Sequence, residues 1–190
     1  MLFAHDTEVS LASTAALINT LPGASKSGDD ELSTPAQLVQ FLDRNEFTGS
    51  RTGATEELDD VRALRGRLRE LWTHDEDGVV ALVNELLQEA HALPQLVKHD
   101  HWDWHLHATE SSAPVAHRLQ VETAMAVIDV VRAKELDRLH ECAADDCTAV
   151  VVDLSRNRSK RYCDVGNCGN RMHVAAYRAR LRGEKVSERI

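Results

Sequence analysis

The sequence predicts a mainly α protein with a small β-hairpin, an α+β chain in which a helical N-terminal part precedes a compact cysteine-rich module. Three observations predict it. Apolar residues return every three or four positions through Leu58, Val61, Leu64, Leu68, Leu71 and Trp72, the period of one helix face. Period-two alternation appears at 102–107, where Trp102, Trp104 and Leu106 interleave with Asp103, His105 and His107. All four cysteines fall between 142 and 168, in two pairs.

Taken in order, "TEVSLASTAALINTL" reads as a first helix that ends at Pro22-Gly23. The polar "GASKSGDDELS" is a loop. Thr34-Pro35 then supplies an N-cap and a proline at the first helical position, opening a helix through "AQLVQFLDRNEF" that ends before Gly49 and Gly53. The third helix starts at Thr55 with acids in its first turn, where the helix dipole favours them. A fourth, from about Asp77, has Val79, Val80, Val83, Leu86, Leu87 and Ala90 as its buried stripe. The alternating stretch predicts a half-buried strand, paired through His99-Asp100 with Gln95 to Lys98. Ser112 and Pro114 open a longer helix through Lys134, its apolar positions including Val115, Leu119, Met125, Val127 and Ile128. The organisation is an acidic, mainly helical sensor or interaction domain over 1–138, followed by a basic module over 139–190.

Cys142 and Cys147 enclose four residues, Cys163 and Cys168 enclose four more, and fifteen separate the pairs. Two short loops thus each offer two sulfurs, the donor set of one structural Zn²⁺ ion with four cysteine ligands. Two disulfides are the alternative and need an oxidising compartment; "MLFAHDTEVS" carries no basic region followed by an apolar run, so reduced thiols and a cytoplasmic location are expected. A dithiol redox role would call for a two-residue spacing. Between the pairs, "TAVVVDL" is β-branched and is expected to pair with a short strand ending near Tyr162. "GNRMHVAAYRARLRG" reads as a helix stopped by Gly183, which puts the last thiolates at a helix N-terminus. Knuckle, hairpin, second knuckle and helix make a treble-clef-like zinc module.

Cys168-Gly169-Asn170-Arg171 resembles the signature of the CGNR zinc fingers, and "DLSRNRSKRYC" at 153–163 resembles the run that precedes it in that family. The similarity extends from 142 to about 183. "ALINTL" at 16–21 and "WHLH" at 104–107 resemble the ABATE domain that commonly stands upstream of such fingers. The chain departs from those patterns at Ala16, where Asp is usual, at Tyr162, where Trp is common, and at Val151, where an aromatic is common. The resemblance implies a transcription regulator, described for the family as stress-induced.

Charge is segregated. Residues 155–190 hold ten Lys or Arg against three acids, +7, and residues 1–154 hold 12 against 28, −16, within a net charge of −9. A basic module suits a polyanion, or docks on its own acidic body. Arg156, Arg158, Lys160 and Arg161 in the hairpin turn, with Arg171, Arg178 and Arg182 on the last helix, form the candidate nucleic-acid surface; Lys185 lies near the same face. Met172, Ala175, Ala176 and Ala179 form the opposite, apolar face. Arg171 reads equally as a structural group beside the sulfurs, and Gly169 as a residue that the knuckle backbone needs. The expected partner is double-stranded DNA, with RNA and an acidic protein as alternatives; a homodimer would suit paired half-sites.

His99, His101, His105 and His107 are the other candidate ligand set, or else a polar strand face, and a small-molecule effector in the N-terminal domain would place Trp102 or Trp104 on its wall. No glycine-rich phosphate loop, nucleophile elbow or paired helix histidines enclosing a glutamate occur, so no catalytic activity is expected. No apolar run reaches the ~20 residues of a membrane span.

Overall fold

The computed structural model describes residues 2–98 and 104–182. His99, His101, Trp102, Gly183 and Lys185 lie outside the described residues. Within them the elements run α1 (His5–Ile18), α2 (Pro35–Arg44), α3 (Thr55–Arg69), α4 (Glu76–Glu89), β1 (Gln95–Val97), β2 (His105–His107), α5 (Val115–Arg132), β3 (Leu139–Glu141), β4 (Val150–Val152) and α6 (Cys168–Leu181). The fold is mainly α with two small antiparallel strand pairs, β1 with β2 and β3 with β4. No helix among the described residues is long and apolar enough to cross a membrane.

Helix starts follow local chemistry. Thr34 and Gln37 form a reciprocal capping box ahead of Pro35, and the Asp75 carboxylate accepts from the Gly78 amide to open α4. α5 is the axis of the helical body, and α1, α3 and α4 all pack on it. The core joins Leu11 and Ile18 of α1, Leu58, Val61 and Leu68 of α3, Val79 and Leu86 of α4, and Leu119, Val127 and Val130 of α5. Each such side chain contributes about 1.5–3 kcal/mol by leaving water. The stripe expected on α3 is buried throughout, whereas on α4 Val80 points to solvent and Leu82 takes its place inside. Polar pairs stitch α1 to α5: Thr14 and Thr123 hydroxyls meet at 2.7 Å, and Thr7 donates to Asp129 at 2.6 Å.

The first hairpin forms as expected and the second is corrected. In the first, Leu96, Trp104 and Leu106 are exposed, and His105 and His107 turn toward the helical body. Leu96 and Leu106 face one another across the strands and cover each other on the solvent side. In the second, β4 pairs with β3, upstream of the first cysteine, rather than with a strand ending at Tyr162. Only one backbone bond, Ala143 to the Arg161 carbonyl at 2.9 Å, joins that later segment to the hairpin.

The reason lies on the other edge of β4. The Asn19 carboxamide, at the end of α1, accepts from the Val150 amide at 2.7 Å and donates to its carbonyl at 2.9 Å. The Asn19 side chain thus occupies the position a third strand would take, and on the β3 side Trp72 Nε1 adds a donor to the Val151 carbonyl at 2.8 Å. Val150 and Val152 join the main core, while Val151 packs with the cysteines. The loop after α1 helps: Arg65, buried on α3, holds Asp30 through both carboxylate oxygens, and Ala24 packs into the cysteine cluster.

Replacing Asn19 with Ala strips both partners from a buried amide and carbonyl. The variant is expected to lose about 2–4 kcal/mol, measured as a lowered urea midpoint at unchanged slope.

Candidate metal centre and basic surface

The β3–β4 hairpin ends in the first knuckle. Leu139–Glu141 runs into Cys142, the chain turns through Asp145 and Asp146, and Cys147 precedes β4. The second pair comes from the loop that enters α6, with Cys163 before the turn and Cys168 at the first helical position. Cys142, Cys163 and Cys168 are buried and Cys147 half-buried.

All four sulfurs lie within 4.8 Å of one another. Cys147 to Cys163 is 3.7 Å and Cys163 to Cys168 is 3.6 Å. Four ligands at 2.3 Å around a tetrahedral ion would stand about 3.8 Å apart, so the cage fits Zn²⁺. A disulfide needs about 2.05 Å, which removes that alternative. Cys142 accepts from the Cys163 amide at 3.4 Å, a knuckle contact that favours a thiolate. Burial nonetheless pushes the Cys142 and Cys147 thiols well above their ordinary range. Burial opposes ionisation at Cys168 too, but the Arg171 guanidinium and the neighbouring sulfurs bring its thiol below that range. Such a group of thiols needs a cation to ionise together, and Zn²⁺, when bound, supplies that charge and cross-links the two loops.

Arg171 is the structural cation of this centre. Its Nη2 lies 3.2 Å from Cys168 Sγ, and its two terminal nitrogens meet the Asp146 carboxylate at 2.5 and 3.1 Å. It therefore ties the second knuckle to the first. Gly169 has no special role in the backbone: a Cβ there would meet the Tyr162 ring at 3.5 Å, an ordinary contact. Gly166 is the constrained one, because its Cβ would stand 3.1 Å from Cys168 Sγ.

The run 153–163 is organised by Asp153. Its buried carboxylate accepts from the amides of Ser155 at 2.8 Å and Lys160 at 2.9 Å. Burial opposes its charge, yet those bonds and Arg138 hold its carboxyl below the ordinary range. Arg138 in turn donates to the carbonyls of Asp153 and Ser155, both at 2.9 Å. Arg158 pairs with Glu135 and Asp137, and Lys160 with Asp164. Arg156 and Arg161 are exposed on the turn. On α6, Arg178 and Arg182 are exposed, as is Arg180, which was not singled out from the sequence. Of the candidate cations, Arg158, Lys160 and Arg171 pair with carboxylates of the described residues, and exposed arginines stand on the last helix and at the turn.

Within α6 only Cys168 is buried. Met172, Ala176 and Ala179 are half-covered, and Ala175, expected on the inner face, is exposed. His105 and His107 approach to 3.0 Å between their Nε2 atoms, but among the described residues no third ligand joins them. Trp104 stands 66% exposed. Asn19, Trp72 and Asp146 were missed in the sequence; the two acids inside "CAADDC", facing an arginine-bearing second knuckle, were the available signal for Asp146.

Arg171→Ala is expected to retain one zinc per chain while weakening zinc affinity 10- to 100-fold, read by competition with a chromogenic chelator. Cys163→Ser is expected to lose the ion and, because β4 serves both cores, to lower the melting temperature of the whole helical body rather than of the C-terminal module alone.

No curated protein matches the chain. Residues 138–181 match the model of the CGNR zinc finger. Residues 12–134 match the ABATE model, described as "putative stress-induced transcription regulator". With that match spanning most of its length and the four-cysteine cage following it, the chain belongs to the ABATE family and carries a C-terminal CGNR zinc finger.

Proposed function

We propose that this protein is a zinc-dependent, non-catalytic transcription regulator whose finger binds nucleic acid, with duplex DNA as the partner and α6 as the contacting element. The observation that carries the reading is the exposure of α6. It is anchored through Cys168 at the zinc cage and presents Arg178, Arg180, Arg182 and Tyr177 to solvent. A helix of 14 residues is about 21 Å long, enough to lie along a major groove about 12 Å wide. Arg156 and Arg161 at the turn tip add cations for phosphates. Arg171 is assigned to the cage and not to the nucleic acid, since Asp146 and Cys168 engage its guanidinium.

A second reading has its own observation. Val174, Tyr177 and Leu181 are exposed at three- and four-residue spacing on α6, the pattern with which a helix meets a protein. Transcription and stress response enter through the family description, and an effector in the helical domain would give such a regulator its input.

The test is binding of zinc-loaded protein to fragmented genomic DNA and to matched RNA across a salt series, with an Arg178→Glu/Arg182→Glu variant that keeps its zinc. Enrichment of particular duplexes is expected, with the salt slope reduced by about two in the variant. Paired half-sites in the enriched duplexes would report a homodimer. Preference for RNA, or weak attraction equal for all polyanions, would overturn the DNA reading, and the second outcome would favour the protein partner.

A further inference from the structure

A cavity of about 200 Å³ lies in the helical body, away from the zinc cage. Its walls are the first half of α1, the 45–48 segment after α2, β2 and the middle of α5. Val9, Phe47, Val121, Met125 and Ile128 make the walls largely apolar. For scale, a dry cavity of ~150 Å³ admits benzene, so this one takes a single ring with a short substituent.

Glu122 lies in it. Among the described residues no hydrogen bond or ion pair reaches its carboxylate, which is deeply surrounded and opens onto the cavity. The nearest cation that acts on it, Arg118, is engaged elsewhere: it donates to the carbonyls of Ala113, Thr48 and Ser50, clamping the segment that forms one wall. The other charges at the cavity are mostly negative. Asp6 comes from α1, Glu46 from the loop and Asp129 from α5, against the exposed Arg132. His105 and His107 face it from β2, their Nε2 atoms 3.0 Å apart.

We propose that this cavity is a binding site for a small organic cation, an amine on an apolar body of about one ring, with Glu122 as its counter-ion. An unpartnered carboxylate at an apolar wall is costly unless protonated or matched by a cation. An anionic ligand would meet three or four carboxylates. A metal ion would find the histidine pair without a third ligand among the described residues. The inference stands apart from the nucleic-acid reading and can fail without it.

The pH dependence has a definite sign. Burial raises the Glu122 carboxyl to about 7, so it is largely protonated at pH 5.5 and ionised at pH 8. A cation is bound by the ionised form. Affinity is therefore expected to rise roughly 10- to 30-fold from pH 5.5 to pH 8. Without ligand, the raised value means that the contribution of Glu122 to folding is fully present below the ordinary carboxyl value of 4.5 and is lost as the pH rises to about 7. Glu122→Gln should accordingly melt higher than the parent at pH 8, and this gain should shrink at pH 5.5.

The experiment uses the full zinc-loaded chain with ¹³C-methyl methionine, which gives few signals because the chain has three methionines. Met125 lines the cavity and Met172 sits beside the zinc cage as the internal control. Benzylammonium, benzoate and benzyl alcohol are titrated at both pH values. Benzylammonium is expected to move Met125 and not Met172 at pH 8, binding at least tenfold tighter than the other two and tenfold tighter than in Glu122→Gln. The proposal is overturned if benzoate or benzyl alcohol binds as well, if Met125 stays still, or if the Gln variant binds equally. Should the variant not fold, selectivity among the three probes on the parent chain decides.

Discussion

A strand of three residues with two edges to satisfy is the constraint on which this architecture depends. β4 meets β3 on one side, and on the other the body offers it the Asn19 carboxamide instead of a strand. Because side chains alternate along a strand, Val150 and Val152 enter the helical core and Val151 enters the cysteine cluster. The zinc module is too small to bury a core of its own, so it borrows one. Zinc then contributes more than local closure. It fixes one face of a strand whose other face completes the helical body, and the two parts fold on shared backbone.

The charge segregation takes on a physical shape in the same region. The acidic body and basic tail meet where Arg158 binds Glu135 and Asp137, and where Arg171 binds Asp146 inside the first knuckle. The exposed pairs are each worth little in water, so Arg158 stays available to a competing phosphate at small cost. Arg171 differs, since its second partner is a sulfur of the cage. Internal docking thus accounts for part of the basic surface.

How much of this could be read from the sequence depended on whether the signal was local. Cysteine spacing, the Thr34-Pro35 start of α2 and the α3 stripe are written in neighbouring residues, and the structure bears them out. Strand pairing is not local: "TAVVVDL" declares a strand but names no partner, and the winning one lay behind Cys142 rather than ahead of it. Period two likewise declares two faces without saying which is inside. At 105–107 the general preference for buried tryptophan and leucine lost, because the histidines line a cavity that only the packing of α1, α5 and the 45–48 segment creates. Glu122 reads as one more polar position on an amphipathic helix for the same reason. Its isolation is a property of Arg118 being occupied by carbonyls from a loop some 70 residues away.

One helix touches both special regions. Asp6 to Ser13 of α1 line the cavity, Thr7 and Thr14 fix the helix to α5, and Asn19 caps β4. From Ser13 to Asn19 the axial distance is about 9 Å, and a helix so short moves as a rigid body. A displacement of α1 toward or away from α5 would change the volume around Glu122 and the geometry of the Asn19 bonds together. Coupling of this kind is reciprocal: whatever factor cavity occupancy imposes on zinc affinity, zinc must impose on cavity affinity. The magnitude is set by how much the two Asn19 bonds, the Thr7–Asp129 bond and the Thr14–Thr123 bond resist that motion, because these polar ties hold α1 to both neighbours.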